Sequence, residues 1–318
     1  MPVSTAVEPP VRVRPFLKWA GGKRQLLREL RRFIPSTFKA YHEPFLGSGA
    51  VFFDLWRDGA LTGRTCRLTD INPDLVGVYR AIASNVDEVI RELRVLAARH
   101  LRLGSDAYYQ VRDEVFNPRR RELMTKASAS AVYPADLAAM FIYLNRTGYN
   151  GLFRVNRAGA FNVPPGRYVR PRIADATLLR KVSATLCAPG VTVSLEPFEA
   201  VLDRARSGDF VYLDPPYAPL TRTANFRSYT ARGFGEADQA RVQQVMLALA
   251  RRGVHVLLSN SSAPLIVDLF ERRADARAAG LQVHRVPARR AINTRADRRG
   301  VVDELLVTSS VSTGRVAP

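Results

Sequence analysis

Short apolar runs bounded by turn residues alternate along this chain with stretches in which apolar side chains recur every three or four positions, the alternation expected of strands and amphipathic helices. Leu26, Leu27 and Leu30 predict a helix over Lys23–Phe33, stopped before Pro35. Ala40–Glu43 reads as a short strand entering the turn Pro44-Phe45-Leu46-Gly47-Ser48-Gly49, and a helix follows from Ala50 to about Arg57. Arg64–Thr69 reads as a second strand ending at Asp70-Ile71-Asn72-Pro73. Strand, glycine turn, helix, strand and acid open a doubly wound α/β sheet.

The pattern then changes. Val89, Leu93 and Leu96 mark an amphipathic helix over Asp87–His100, and Tyr108–Val115 and Ala135–Leu144 predict two more. The last runs into the loop Asn145-Arg146-Thr147-Gly148-Tyr149-Asn150-Gly151, and prolines close the segment between Pro164 and Pro171. The α/β pattern resumes with strands at Val191–Leu195, Phe210–Leu213 and Val254–Ser259 and a helix at Ala237–Arg251. Gln282–Val286 and Asp303–Ser309 are expected to pair as a closing hairpin, and residues 1–14 and 309–318 as loose ends. The domain reading is therefore residues 1–84 and 173–318 forming one α/β domain, interrupted by a helical insertion over 85–172.

Charge sharpens the picture. The 318 residues carry 48 Lys+Arg against 29 Asp+Glu, a net +19. Residues 111–172 and 270–300 hold +13 of it, and six arginines with no acid lie between Leu137 and Ile173. Such one-sided basic segments suit a polyanion, because each neutralised phosphate releases counterions. Only five lysines stand beside 43 arginines, yet Lys18 and Lys23 sit close together, which points to a compact ammonium being needed there. Two cysteines and four scattered histidines supply neither a disulfide framework nor a metal-ligand spacing. Without a run of about 18 apolar residues or a signal peptide, the expectation is a cytoplasmic protein with no membrane partner; no obligate protein partner is inferred, and a monomer is expected.

The turns carry candidate chemistry. Gly47 and Gly49 let the backbone turn sharply beside a ligand. Asp70, ending the next strand, is placed to accept both hydroxyls of a ribose. Phe52 stands where the dinucleotide fingerprint needs its third glycine, and Gly22-Lys23 is followed by Arg24 rather than Ser or Thr, so a pyrophosphate loop and a P-loop are both disfavoured. The ligand is read as a nucleoside without a long phosphate chain. Asp214-Pro215-Pro216-Tyr217 is the sharpest signal. Its prolines fix φ and remove N–H donors, leaving the Asp214 carboxylate and the Pro215 carbonyl as two acceptors suited to a planar amino group. Tyr217 offers a face for its ring.

Phe16-Leu17-Lys18-Trp19-Ala20-Gly21-Gly22-Lys23, Glu43-Pro44-Phe45-Leu46-Gly47-Ser48-Gly49, Asp70-Ile71-Asn72 and Asp214-Pro215-Pro216-Tyr217 resemble, in order, the motifs of the N6-adenine DNA methyltransferases of the α (Dam/D12) group. Leu144–Leu152, Phe161–Tyr168 and Asp303–Leu306 extend the resemblance from about residue 16 to 308. It implies a Rossmann-like S-adenosylmethionine-dependent methyltransferase sheet with an inserted helical target-recognition domain. It also implies double-stranded DNA as substrate, GATC as target, base flipping, S-adenosylhomocysteine as product and no metal. Trp19, Lys23, Phe45, Gly47, Gly49, Asp70 and Asp214 match donor-binding positions. Asp214, Pro215 and Tyr217 match the positions that hold the flipped adenine, and Lys18, Tyr149, Asn150, Leu152, Arg154, Pro164, Arg167 and Tyr168 match or flank DNA-reading ones.

Two departures stand out: Val169 follows Tyr168 where the family pattern has lysine, and residues 116–134 are longer than that pattern. Arg289, Arg290, Arg298 and Arg299 are candidates for phosphate contacts. The competing readings are an N4-cytosine or RNA amino-methyltransferase and a catalytically inactive DNA-binding relative. Neither Cys66 nor Cys187 follows a proline, which disfavours cytosine C5 chemistry.

Overall fold

The computed structural model describes residues 12–19, 23, 26–126, 133–219, 234–289 and 301–309. Among these, seven strands form one sheet: β1 (Tyr41–Glu43), β2 (Cys66–Asp70), β3 (Val191–Leu195), β4 (Phe210–Leu213), β5 (His255–Ser261), β6 (Leu281–Arg289) and β7 (Val301–Ser309). Their order across the sheet is β3-β2-β1-β4-β5-β7-β6. The first five are parallel, and β7 runs antiparallel to both β5 and β6. This is a Rossmann-like sheet with a reversed closing strand.

Side chains alternate across the sheet because successive Cβ atoms of a strand point to opposite faces. Phe210 and Tyr212 join the apolar cluster on one face, and Val211 and Leu213 join the cluster on the other. All four residues of β4 are buried. That burial on both faces explains why the strand reads as an unbroken apolar run. Parallel neighbours need crossovers, supplied here by α1 (Ala50–Arg57), α2 (Pro73–Leu103), α3 (Ala135–Thr147), α4 (Ala176–Leu186) and α5 (Glu236–Arg251). The chain steps outward from β1 to β3 on one side and from β4 to β5 on the other. The order therefore reverses between β1 and β4, where open α/β sheets form a crevice beyond the strand ends.

Several elements differ from the sequence expectation. The first helix is shorter, an α turn at Leu27–Leu30 followed by a 3-10 turn at Arg31–Phe33. The helix expected at Asp87–His100 starts at Pro73, where Asn72 Oδ1 accepts from the backbone N–H groups of Asp74 at 3.0 Å and Leu75 at 3.3 Å. It continues past position 84 with one non-helical residue, Asn85 (φ −140°, ψ 40°). The helix expected at Tyr108–Val115 is part of a longer helical run, Ser105–Tyr109, a π-helical stretch at Gln110–Phe116, and Asn117–Lys126. Helix α4 was not expected, although Leu178, Leu179, Val182 and Leu186 bury one face and Asp175 caps it. The closing hairpin is present, but β7 rather than β6 pairs with β5.

Helices α2 and α3, Tyr108 and Phe153 share one apolar cluster with the sheet residues Leu68 and Tyr212. No helix among the described residues is long and apolar enough to cross a membrane. Residues 1–11 and 310–318, Gly21 and Gly22, and Arg290, Arg298 and Arg299 lie outside the described residues, as does the side chain of Arg289.

Candidate functional site

Strands β1, β2 and β4 end on the same edge, and their last residues lead into Gly47, Asp70 and Asp214. Gly47 and Gly49 adopt left-handed φ values of +48° and +63°, which glycine reaches without a Cβ clash. A Cβ on Gly47 would lie 3.0 Å from Trp19 Cδ1, so the ring of Trp19 closes over the turn. A Cβ on Gly49 would lie 3.2 Å from both the Phe53 ring and the Tyr79 hydroxyl, so this glycine allows α1 to start against packed neighbours. Phe45 stacks on Phe198 at 5.1 Å between centroids and meets Phe234 edge-on at 6.1 Å.

Asp70 Oδ2 accepts from Gly47 N–H at 3.1 Å and Oδ1 from Asn72 N–H at 2.9 Å. Burial pushes its pKa up to about 6, against the pull of these backbone donors. Glu43, at the end of β1, is more deeply buried. Desolvation, with Asp214 and Asp70 nearby, raises it to about 8, although the Tyr41 hydroxyl donates to Oε2 at 2.8 Å.

Asp214 Oδ1 pairs with Lys23 Nζ at 2.8 Å and accepts from Ser259 Oγ at 3.0 Å. Ser259 in turn lies 2.9 Å from the Tyr212 hydroxyl. Burial alone would lower the Lys23 pKa, but Asp214, Tyr212 and Glu304 outweigh it and raise it, so the ammonium stays charged. The same Nζ stands 4.3 Å from the Tyr217 ring centroid. The backbone of the proline turn is fixed by side chains from β5 and α5. Gln239 Nε2 donates to the Pro216 carbonyl at 2.7 Å, Asn260 Oδ1 accepts from Ala218 N–H at 3.3 Å, and Ser261 Oγ donates to the Ala218 carbonyl at 2.6 Å. The sequence reading missed Gln239, Ser259, Asn260, Ser261 and Glu304. The clue was a polar run, Ser259-Asn260-Ser261, ending an otherwise apolar strand: polar groups that deep are there to be hydrogen-bonded.

A second group lies between residues 145 and 168. Asn145 is buried and takes Lys18 N–H on Oδ1 at 2.9 Å, while its Nδ2 donates to the carbonyls of Lys18 at 2.7 Å and Gly151 at 3.0 Å. Gly151 has φ +63°, and a Cβ there would lie 2.2 Å from Lys18 Cβ. Lys18 Nζ stands 3.9 Å from the Tyr168 ring centroid. Trp19 stacks on Phe153 at 5.9 Å, so residues 18 and 19 touch both the glycine turn and the insertion.

Arg154 is exposed, and its Nε donates to Asn162 Oδ1 at 2.8 Å across a short hairpin clipped by the Val155–Phe161 bridge. Tyr149, Asn150, Pro164, Arg167 and Tyr168 are also exposed, and Leu152 is half-buried. This segment is anchored to the helices beneath it. Asp74 receives two hydrogen bonds from Arg120, at 2.5 and 2.7 Å, and one from the Tyr133 hydroxyl. Tyr108 and Arg112 both donate to the Val163 carbonyl.

Comparison with known proteins follows this geometry. Residues 19–292 match the model of the D12 class N6 adenine-specific DNA methyltransferase family. The chain is 35% identical over 299 residues to Type II methyltransferase M1.LlaDCHI of Lactococcus lactis subsp. cremoris, covering 94% of this chain and 96% of that protein. It is 38% identical over 306 residues to Type II methyltransferase M.MjaIII of Methanocaldococcus jannaschii, with coverage of 93% and 99%. It is 35% identical over 293 residues to the DNA adenine methylase of Escherichia coli, with coverage of 92% and 94%.

Proposed function

The chain belongs to the D12 class of N6 adenine-specific DNA methyltransferases, and from that premise we propose that it methylates the adenine of GATC in duplex DNA after turning the base out of the helix. Family membership favours adenine in DNA over the cytosine and RNA readings, and a transferase over an inactive relative. The methyl donor of such an enzyme is S-adenosylmethionine. The observation that carries the reading is the convergence of Asp214, Tyr217 and Asp70 on one sheet edge at the strand-order reversal.

The residues present fit a nucleoside donor. Asp70 is a buried carboxylate at the end of β2 and suits ribose hydroxyls, while Gly47 adds no side chain to the turn and the Trp19 ring over it offers an aromatic wall. Phe45 and Gly49 shape the same turn, and Lys23 is a charged ammonium suited to the donor's carboxylate. When bound, the donor supplies an electrophilic methyl on sulfur.

Adenine N6 is a poor nucleophile because its lone pair is delocalised into the ring. Asp214 and the Pro215 carbonyl accept its two N–H bonds and favour a pyramidal nitrogen, while Tyr217 stacks on the ring. The donor would supply its methyl group to N6 in exchange for one N–H proton, which the Asp214 carboxylate accepting that N–H is placed to take. Positioning and electrostatics supply the acceleration, and base flipping costs a few kcal/mol. Lys23 pairs with Asp214 and lies over the Tyr217 ring, the two groups assigned to the base, and its ammonium would hold the donor's carboxylate beside them.

Residues 85–172 serve as the target-recognition insertion within a catalytic domain formed by 1–84 and 173–318. Arg154 reads guanine O6 and N7, and Lys18, Tyr149, Asn150, Leu152, Pro164, Arg167 and Tyr168 complete the reading surface. Protection of unmethylated plasmid from a methylation-sensitive GATC endonuclease, with mass spectrometry of the nucleosides, tests the reading. N6-methyladenine confined to GATC is expected. Methylcytosine, or methyladenine in another sequence context, would refute it. Binding is expected to weaken steeply with salt.

A further inference from the structure

The antiparallel strand brings a carboxylate to the catalytic edge. Glu304, near the start of β7, pairs in register with Ser261 at the end of β5. Because β7 runs against β5, its first residues stand where the parallel strands finish, beside Asp214. Glu304 Oε2 accepts from the Tyr217 hydroxyl at 2.6 Å, with both side chains partly buried. The prolines before Tyr217 restrict its backbone, but they leave χ1 and χ2 of its own side chain free, so the ring plane needs a tether. Ser259 lies beside the same phenol, and the Lys23 ammonium covers one ring face at 4.3 Å. Of these, Glu304 makes the short, charge-assisted bond, the stronger kind of hydrogen bond.

We infer that Glu304 is a positioning residue that fixes the plane of the Tyr217 ring through this hydrogen bond, so that the ring meets the everted base squarely. The inference rests on the reading above, in which Tyr217 stacks on the target adenine.

The test is a double-mutant cycle with Glu304→Ala, Glu304→Gln, Tyr217→Phe and Tyr217→Phe/Glu304→Ala, in the full chain. Single-turnover methylation of a GATC duplex is measured alongside donor affinity by calorimetry and thermal melting. Glu304→Ala and Tyr217→Phe are each expected to slow methylation about tenfold, with donor affinity changed less than about twofold. The double variant is expected to be no slower than either single one, because both remove the same bond. Glu304→Gln keeps an acceptor oxygen and is expected to recover most of the rate. Multiplying losses in the double variant, a Gln variant as slow as Ala, or unimpaired Tyr217→Phe would each overturn the inference. Should Glu304→Ala fail to fold, Tyr217→Phe and Glu304→Gln remain decisive, since each changes little volume. A wild-type protein that methylates no GATC adenine would refute the underlying reading, a separate outcome from failure of the cycle.

Discussion

The strand-end edge around Asp214 and the exposed face around Arg154 are built by opposite means. At the strand-end edge the candidate groups themselves are inside the polar network: Asp214 is held by Lys23 and Ser259, and Asp70 by two backbone donors. Around Arg154 the side chains proposed to read DNA are exposed, and the network lies beneath them, on backbone atoms clamped by Asn145, Tyr108 and Arg112. The difference follows from the partner each meets. In the proposed reaction a small donor and one everted base would be engulfed, so the groups that would hold them are desolvated in advance, where electrostatic interactions are stronger. A duplex is met by side chains that reach outward from a rigid backbone.

The sharpest way to break this comparison is to remove the central acceptor. Asp214→Ala is expected to lower the methylation rate by at least about a thousandfold while DNA binding changes little. Filter binding and single-turnover kinetics separate the two, and near-normal turnover would discard the assigned role. The clamp comes next. Asn145→Ala removes three hydrogen bonds and leaves buried carbonyls unpaired, so a loss of about 2–4 kcal/mol is expected in denaturant unfolding. An unchanged unfolding midpoint would mean the insertion is held elsewhere. On the reading surface, Arg154→Ala is expected to relax discrimination at one base pair by about 1–3 kcal/mol with stability intact. Competition between duplexes differing at single positions measures it, and unaltered preferences would move the readout to another residue.

The smallest effect concerns pH. Burial raises Asp70 to about 6. Below that pH its carboxyl is protonated and accepts ribose hydroxyls poorly, and above it the acceptor is intact. Donor affinity is therefore expected to be flat above pH 6 and to fall as pH drops through it. Calorimetry on Asp70→Asn should show weaker binding without that inflection, and an identical inflection in the variant would assign the titration to another group.

Some of this was legible in the chain. The closing hairpin and the alternation of strands and helices follow from apolar periodicity, which records burial directly. The Asp-Pro-Pro-Tyr turn announces itself because proline constrains local geometry whatever surrounds it. Helix α4 was equally visible in Leu178, Leu179, Val182 and Leu186 and was overlooked. The roles of Asn145, Gln239 and Glu304 were not legible, because each acts on atoms far away in sequence: Asn145 on Lys18, Gln239 on Pro216, Glu304 on Tyr217.

By itself the sequence determined which residues carry charge, which turns are stiff and which segments must be buried, since these depend on side-chain chemistry and short-range backbone sterics. Only the tertiary structure decided that β7 enters between β5 and β6 in reverse, that Lys23 lies on Asp214 and Tyr217, and that Gly151 has to be a glycine because Lys18 packs against it. Those outcomes depend on strand pairing and close packing between distant parts of the chain, which no local pattern encodes.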